Sequence, residues 1–350
     1  MKTGLTLDQM ASELARRNEA KRDYVLDTRA IAFRGGDEVL LGDRIRTVPN
    51  KVFVEQAAQQ AQVPIDYARR IRTSHPELFA ETFNTLLQSQ PKRKMVRTLD
   101  GTARALLSDR YRPLDNYDLA QAVLPALMDT KGIRFDNAQF TDDRFYLKAV
   151  LPRIETEVVK GDVVQIGILV ENSEVGRGSL KVLPLIYRLV CANGLVMPDY
   201  GQKSYHVGRR RGAEDEGLDV AELYSDKTRE LDDRAFFAKV TDTVKGVMTK
   251  EVLERIVSKM RDATQQVIDG NPLEVVEVTS RKFGYSKETA DGILQHLIRG
   301  GDLSRYGLMN AITRQAQDEE SYDVSTQMEA DGGRLIQLPN AEWRAVAKAA

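Results

Sequence analysis

"LPLIYRLVCANGLVMPDY", Leu183 to Tyr200, is the most apolar stretch of the chain and holds its one cysteine, Cys191, beside Asn193-Gly194. It reads as a reactive-thiol site, a hairpin of core strands or a buried helix. A nucleophilic thiol needs exposure and a nearby base. Here Leu189, Val190 and Ala192 surround the cysteine, and free cysteine is among the most often buried residue types. Cys191 is therefore expected in the core. The favoured reading is a helix, with Pro184 in the first turn, Leu185, Ile186, Leu189 and Val190 on one face, and Gly194 as the stop. The competing hairpin uses Asn193-Gly194 as its two-residue turn. In both, Arg188 must reach solvent or find a partner.

The flanks set the fold class. Upstream, Met95 to Leu107 and Arg134 to Val170 are rich in β-branched and aromatic residues between glycine and aspartate turns, and they read as the strands of a sheet. "DNYDLAQAVLPALMDT" between them reads as an amphipathic helix capped by Asp115 or Asn116. Nearer the start, Leu7, Met10, Ala11, Leu14 and Ala15 recur at helical spacing within Leu5 to Val25. "GGDEVLLGDRIRTVP" then suggests short strands, and Pro64 and Pro76 mark helix starts in the segment that follows. Downstream, Phe236, Phe237, Val240, Val244 and Val247 stripe a long helix, followed by "KETADGILQHLIRGG", "SRYGLMNAITRQAQD" and a short segment around Trp343. Helix and strand mix without regular alternation. This predicts an α+β fold: a central, mainly antiparallel sheet flanked by N-terminal helices and a C-terminal helical region. Three stretches follow, packed as one continuous unit: 1–90 helical with short strands, 91–226 the α+β core, and 227–350 helical.

Composition bounds the function. An apolar fraction of 42% supports a substantial core, and 51 cationic against 52 acidic residues means that affinity for nucleic acid must come from local patches. A single cysteine excludes an intramolecular disulfide, and "MKTGLTLDQMASELARR" lacks the apolar core of a signal peptide. No apolar run approaches the roughly 20 residues of a membrane span. A cytoplasmic protein without membrane contact is expected.

Several chemistries lack their residues. "GRGSLK", Gly176 to Lys181, has the wrong spacing for a phosphate loop and reads as a turn between strands. His75, His206, His296 and Cys191 are not paired at zinc-ligand spacing. Asp109, Asp115, Asp142, Asp143 and Asp199 lie near strand ends, where a magnesium-dependent nuclease would want them, but turns favour aspartate too. No catalytic residue, cofactor or metal is assigned. Three basic patches stand out instead. "KSYHVGRRRG" offers Lys203, Tyr205, His206, Arg209, Arg210 and Arg211; "PKRKMVR" offers Lys92, Arg93 and Lys94. Cations on a groove release counterions from phosphates, and a tyrosine ring stacks on an unpaired base. Each has a plainer reading: "GRRRGAEDEG" neutralises itself, "PKRK" is a charged edge strand that resists aggregation, and the third patch, "YARRIR" (Tyr67 to Arg72), is a solvated helix face.

"RALLSDRYRPLDNYDL" (Arg104 to Leu119), "YRLVCANGLV" (Tyr187 to Val196) and "SRYGLMNAITRQAQDEESYD" (Ser304 to Asp323) resemble the phage/plasmid-like family called domain of unknown function 932. The resemblance rests on Ser108, Asp109 and Tyr111, on the arginine-leucine-valine-cysteine-x-asparagine-glycine run, and on Asn310, Ala311 and Thr313. "NSEVGRGSLKV" departs from the family by lacking its histidine-aspartate-glycine turn. The family carries no established activity; its setting implies mobile-element biology. By analogy of role, phage annealing proteins need no ATP, pair strands on a basic groove and form rings or filaments. The expectation is a non-enzymatic protein that binds single-stranded DNA and promotes annealing or recombination, with self-assembly into a homo-oligomer. The alternative is an interaction or counter-defence factor that binds phage or host proteins. A metal-dependent nuclease ranks below both.

Overall fold

The computed structural model describes residues 3–198, 202–204 and 225–348. The fold is α+β, with antiparallel pairing dominant and a helical C-terminal region. One central sheet was expected; the described residues form two.

The first sheet has the order β1-β5-β6-β4-β3-β2, from β1 (Arg22–Asp27), β2 (Ile31–Arg34), β3 (Glu38–Leu41), β4 (Ile45–Pro49), β5 (Arg93–Leu99) and β6 (Thr102–Ser108). Only the β4–β6 contact is parallel. Helices α2 (Lys51–Gln60), α3 (Ile65–Ser74) and α4 (Pro76–Ser89) cover its inner face, where the Phe33 ring meets Phe79 and Phe83 at 5.3 and 5.2 Å. Pro76 occupies the first turn of α4, and Pro64 sits one residue before α3. The Asn84 side chain accepts from the Phe33 amide and donates to its carbonyl (2.8 and 2.9 Å), closing the free edge of β2 to another strand. Helix α1 (Leu7–Ala20) ends earlier than the apolar spacing suggested, because Arg22 onward pairs with β5.

The second sheet runs β11-β10-β9-β8-β7, with β12 also on β10: β7 (Arg134–Phe140), β8 (Phe145–Glu157), β9 (Val163–Asn172), β10 (Leu180–Arg188), β11 (Asn193–Val196) and β12 (Gln202–Ser204). The main core lies on one of its faces, against α1, α5 (Asn116–Met128), α6 (Asp226–Val247), α7 (Lys250–Thr264) and α10 (Arg305–Asp318). Val240, Val244 and Val247 of α6 enter that core as their spacing suggested. Helices α8 (Pro272–Phe283) and α9 (Lys287–Gly300) pack behind it. Trp343 is buried in α12 (Asn340–Ala347). The opposite face is partly covered by α11 (Tyr322–Gln337).

The Leu183–Val196 stretch is a hairpin, so the helix reading is corrected. Strand β10 is buried on both faces; Leu183 and Leu185 face α11 while Val182 and Ile186 face the main core. A strand apolar on both sides shows no alternation, and its sequence cannot be told from a buried helix. The turn is also misplaced by the hairpin reading. Arg188 pairs with Asn193 and Tyr187 with Gly194, leaving Leu189 to Ala192 as the loop, closed by Ala192 at φ +52°. Pro184 falls between the β12-paired and β11-paired parts of β10. Its carbonyl accepts from the Met197 amide there, and the missing proline donor interrupts no ladder. Cys191 is exposed on the loop rather than buried. Arg188 is paired, bidentate to the buried Asp162 at 2.7 and 2.8 Å.

The two sheets are joined through Arg97 of β5, which is 3% exposed. Its guanidinium donates to Asp23 (2.9 Å), to Asp115 (2.7 Å) and to the Glu174 carbonyl in the β9–β10 turn (3.0 Å). The Glu174 carboxylate accepts from Arg104 (3.1 Å) and from the Asn116 amide (2.8 Å), so Glu174 caps α5. Asp115 is the N-cap residue but makes no side-chain cap; it pairs with Arg97 and Lys21 instead.

Gly333 of α11 lies so close to β11 that a Cβ would meet the Val196 carbonyl at 2.0 Å and Pro198 at 3.2 Å. Gly333→Ala must push helix and strand apart, and should cost about 1–3 kcal/mol. Exposed Cys191→Ser should stay within about 0.5 kcal/mol of the parent. Urea denaturation of both variants checks this pair of expectations.

Candidate functional site

The residues singled out for nucleic-acid contact fall in two groups. Tyr205, His206, Arg209, Arg210 and Arg211 lie outside the described residues, as does Asp199. Lys203 is in β12, in register with Lys181 of β10. The last residue of β12, Ser204, pairs with Leu180, so this strand ends beside the β9–β10 turn.

Lys92, Arg93 and Lys94 open β5. The Lys92 amide donates to Thr28 Oγ1 (3.1 Å), the Thr28 amide donates back to the Lys92 carbonyl (3.0 Å), and Thr28 Oγ1 donates to the Leu87 carbonyl (2.8 Å). This strand start is therefore held on both sides. Strand β5 lies between β1 and β6, so the edge-strand reading of "PKRK" is corrected. Lys92 and Arg93 are exposed and Lys94 is half-buried. No described carboxylate forms an ion pair with any of the three. Elsewhere the cations of this region are matched: Arg97, Arg104, Arg144, Arg177, Lys181 and Arg188 all have carboxylate partners. Burial, then the neighbouring charge of Lys92, holds the Lys94 ammonium below the ordinary lysine range, with Asp109 pulling the other way.

The β9–β10 turn that leads toward Lys203 packs on the first sheet, on the face opposite to the one Lys94 shares with Val96. Met95, next to Lys94, packs with Leu107 and Tyr111 against Val175 of the β9–β10 turn, and Gln56 donates to the Val175 carbonyl at 2.8 Å. That turn carries "GRGSLK" and leads directly to Lys181 and its partner position Lys203. The "YARRIR" helix face is solvated at Tyr67, Arg69 and Arg70, and Arg72 is half-buried. Arg69 pairs with Glu55 (2.5 Å), while Arg72 donates to the Gly36 and Pro49 carbonyls (2.7 and 2.8 Å).

A cavity of about 360 Å³ lies between the second sheet and α11. Tyr146, Leu169, Leu183 and Val196 form its sheet wall; Thr326 of α11, Phe283 at the end of α8 and Tyr285 just beyond it line the other sides. At one end Glu171 receives Arg144 (3.0 Å) and Lys181 (2.8 Å), and the Tyr146 hydroxyl donates to Asp323 (2.6 Å). At the other end Asp331 pairs with Arg334 and accepts from Tyr285 (3.1 Å). Burial above all, then the adjacent carboxylates, pushes both tyrosine hydroxyls far upward, so they stay protonated donors. On the same face of β8 as Tyr146, Lys148 pairs with Glu329 of α11 at 2.6 Å, and the two side chains are 1% and 0% exposed.

None of these cavity residues was singled out from the sequence. The available signal was "FYLK" in β8, where Tyr146 and Lys148 place two polar groups on one face of the apolar first half of the strand. Of the suspected aspartates, Asp142 and Asp143 line a shallow hollow with Glu320 and Asp323, where burial and then Asp323 raise Asp143. Among the described residues no group of three or more histidine, cysteine, aspartate or glutamate side chains is gathered to hold a metal ion, and no helix is long and apolar enough to cross a membrane.

Fold and site define an α+β protein of two clamped sheets, with an unneutralised cationic strand start and a separate charge-balanced cavity. The chain belongs to the family described as Domain of unknown function (DUF932), whose family model matches residues 104–329. The match takes in the cavity residues Arg144, Lys181 and Thr326 and begins after Lys94. No curated protein and no solved structure matches the chain.

A lysine held below its ordinary pKa destabilises the fold while charged. Stability therefore rises as pH climbs through the lowered folded value toward the ordinary 10.5, where the unfolded chain still binds the proton. Lys94→Met should hold or raise the melting temperature at neutral pH and flatten that alkaline rise. A lower melting temperature at neutral pH would mean that the ammonium makes a stabilising contact.

Proposed function

We propose that this protein is a non-enzymatic DNA-transaction protein that binds single-stranded DNA, its contribution to ATP-independent annealing or recombination. The observation that carries the reading is the cationic start of β5. Three successive cations stand without an ion-pair partner among the described residues, and one of them is pressed into a half-buried position beside another. A phosphate would relieve that arrangement, because it supplies the missing negative charge. A second basic segment begins at Lys203 of β12, in register with Lys181. Lys92, Arg93 and Lys94 are the first contact, and Lys203, Tyr205, His206, Arg209, Arg210 and Arg211 the second.

A protein-interaction role with phage or host proteins has one observation of its own. Val159, Leu189 and Val190 are exposed on two neighbouring turns at the far end of the second sheet. Apolar tips of this kind suit a protein surface better than a phosphate backbone.

Fluorescence anisotropy with a labelled oligonucleotide at about 50 and 200 mM salt separates the readings. DNA binding should weaken steeply between the two. Replacing Lys92, Arg93 and Lys94 together by alanine should reduce the slope of log affinity against log salt by about two, at ~0.7 per phosphate contact. No binding at the lower salt would refute the DNA reading. Affinity should also fall with rising pH sooner than an ordinary lysine would allow, and Lys94→Arg should remove that alkaline loss.

A further inference from the structure

The geometry points to the cavity under α11 as a binding site for a single unpaired nucleobase. The cavity contains groups that the fold leaves unused. Thr326 is 4% exposed, lines the cavity, and its hydroxyl has no hydrogen-bond partner. Arg144 Nε lies 3.0 Å from Glu171 Oε1 but out of alignment for a hydrogen bond, so that buried donor is also unsatisfied. A buried polar group without a partner carries its full desolvation cost. A ligand that offers an acceptor to Arg144 and a donor or acceptor to Thr326 removes both costs.

The charge of the lining excludes the strongly charged ligands. Arg144, Lys181 and Arg334 face Glu171, Asp323 and Asp331, and each cation already has a carboxylate. A free anion, a cation or a zwitterion would have to break one of these pairs or sit beside a like charge. A neutral molecule meets no such opposition. The walls are a pleated sheet face of Leu169, Leu183 and Val196 with tyrosine and phenylalanine rings at the margins. The volume of about 360 Å³ falls at the small end of ligand pockets. A neutral, flat body with hydrogen-bonding groups on its edge is the chemistry of a nucleobase, and aromatic side chains beside a polar edge reader are how unpaired bases are held. Lys181, at the rim, is in register with Lys203, where the basic segment begins.

The base can come from a bound strand or from a free nucleoside. The strand as its source rests on the nucleic-acid reading above, whereas the base site itself does not. The test uses the full chain, a labelled oligonucleotide, the same oligonucleotide with one abasic position moved along it, and free deoxynucleosides followed by calorimetry. Binding of the intact strand should exceed that of the best-placed abasic strand roughly tenfold. Thr326→Val, close in shape, should shrink that ratio toward one while leaving the abasic affinity unchanged. Alanine at Lys92, Arg93 and Lys94 should weaken both strands alike. Saturable nucleoside binding lost in Thr326→Val, with intact and abasic strands bound equally, would support the base site with a free nucleoside as its occupant. Equal binding of the two strands together with no nucleoside saturation at millimolar concentration overturns the base site, even if the strand itself binds. Failure of every oligonucleotide at low salt removes the strand reading, and the nucleoside arm alone then decides the site.

Discussion

The fold turns on the buried guanidinium of Arg97. Taking that charge out of water is costly, and it is stable only because Asp23, Asp115 and the Glu174 carbonyl occupy its donors together. Those partners come from β1, the start of α5 and the turn of the second sheet. One side chain of the first sheet thus specifies where the second sheet's turn must lie. Glu174 extends the constraint by accepting from Arg104 and capping α5 through the Asn116 amide. The result is that Val175 of the turn leading into β10 rests on Met95 and Leu107 of the first sheet.

Several helices were legible because they keep one wet face: α3 and α4 announce themselves by apolar spacing and prolines at their starts, and α6 by its valine stripe. Strands β8 and β9, dry over much of their length, show only as β-branched and aromatic runs. The Leu183–Val196 stretch was not legible for the opposite reason. With Leu183 and Leu185 under α11, and Val182 and Ile186 in the main core, both faces are dry and periodicity carries no information. The same blindness hid the division into two sheets. Strands β5 and β8 look alike as strings, and only pairing partners distant in sequence, such as Arg22 with Thr98, assign them to different layers. Cys191 was misplaced because its apolar neighbours Leu189 and Val190 are themselves exposed on the loop.

The candidate site was legible only where it is made of unbalanced charge. Lys92, Arg93 and Lys94 are contiguous, and a run of cations is visible without a structure. The cavity is assembled from β8, β9, β10, the end of α8 and α11, with one or two polar residues from each. No window of sequence contains enough of it to stand out. Its charges also cancel, so composition gives no hint of it. Phosphate contacts and base contacts ask for these two different chemistries: the first an excess of cations, the second fixed polar groups with donors or acceptors still to offer.

The persistence of that slot needs its own explanation, since a helix lying over a sheet ordinarily closes the gap with side chains. The Lys148–Glu329 pair offers one. A fully buried ion pair is weak as a source of stability, because apolar side chains of similar volume often serve as well. Its stronger effect is on register: sliding α11 along the sheet by a turn would leave both charges uncompensated in a dry interior. Gly332 and Gly333 press the C-terminal half of the helix onto β11, with no room for a Cβ against the Val196 carbonyl. Thr326, one turn before Glu329, is then carried at a height set by the ion pair on one side and the glycine contact beyond it. Neither contact can relax to let the hydroxyl reach a protein partner, and the space beneath it stays open.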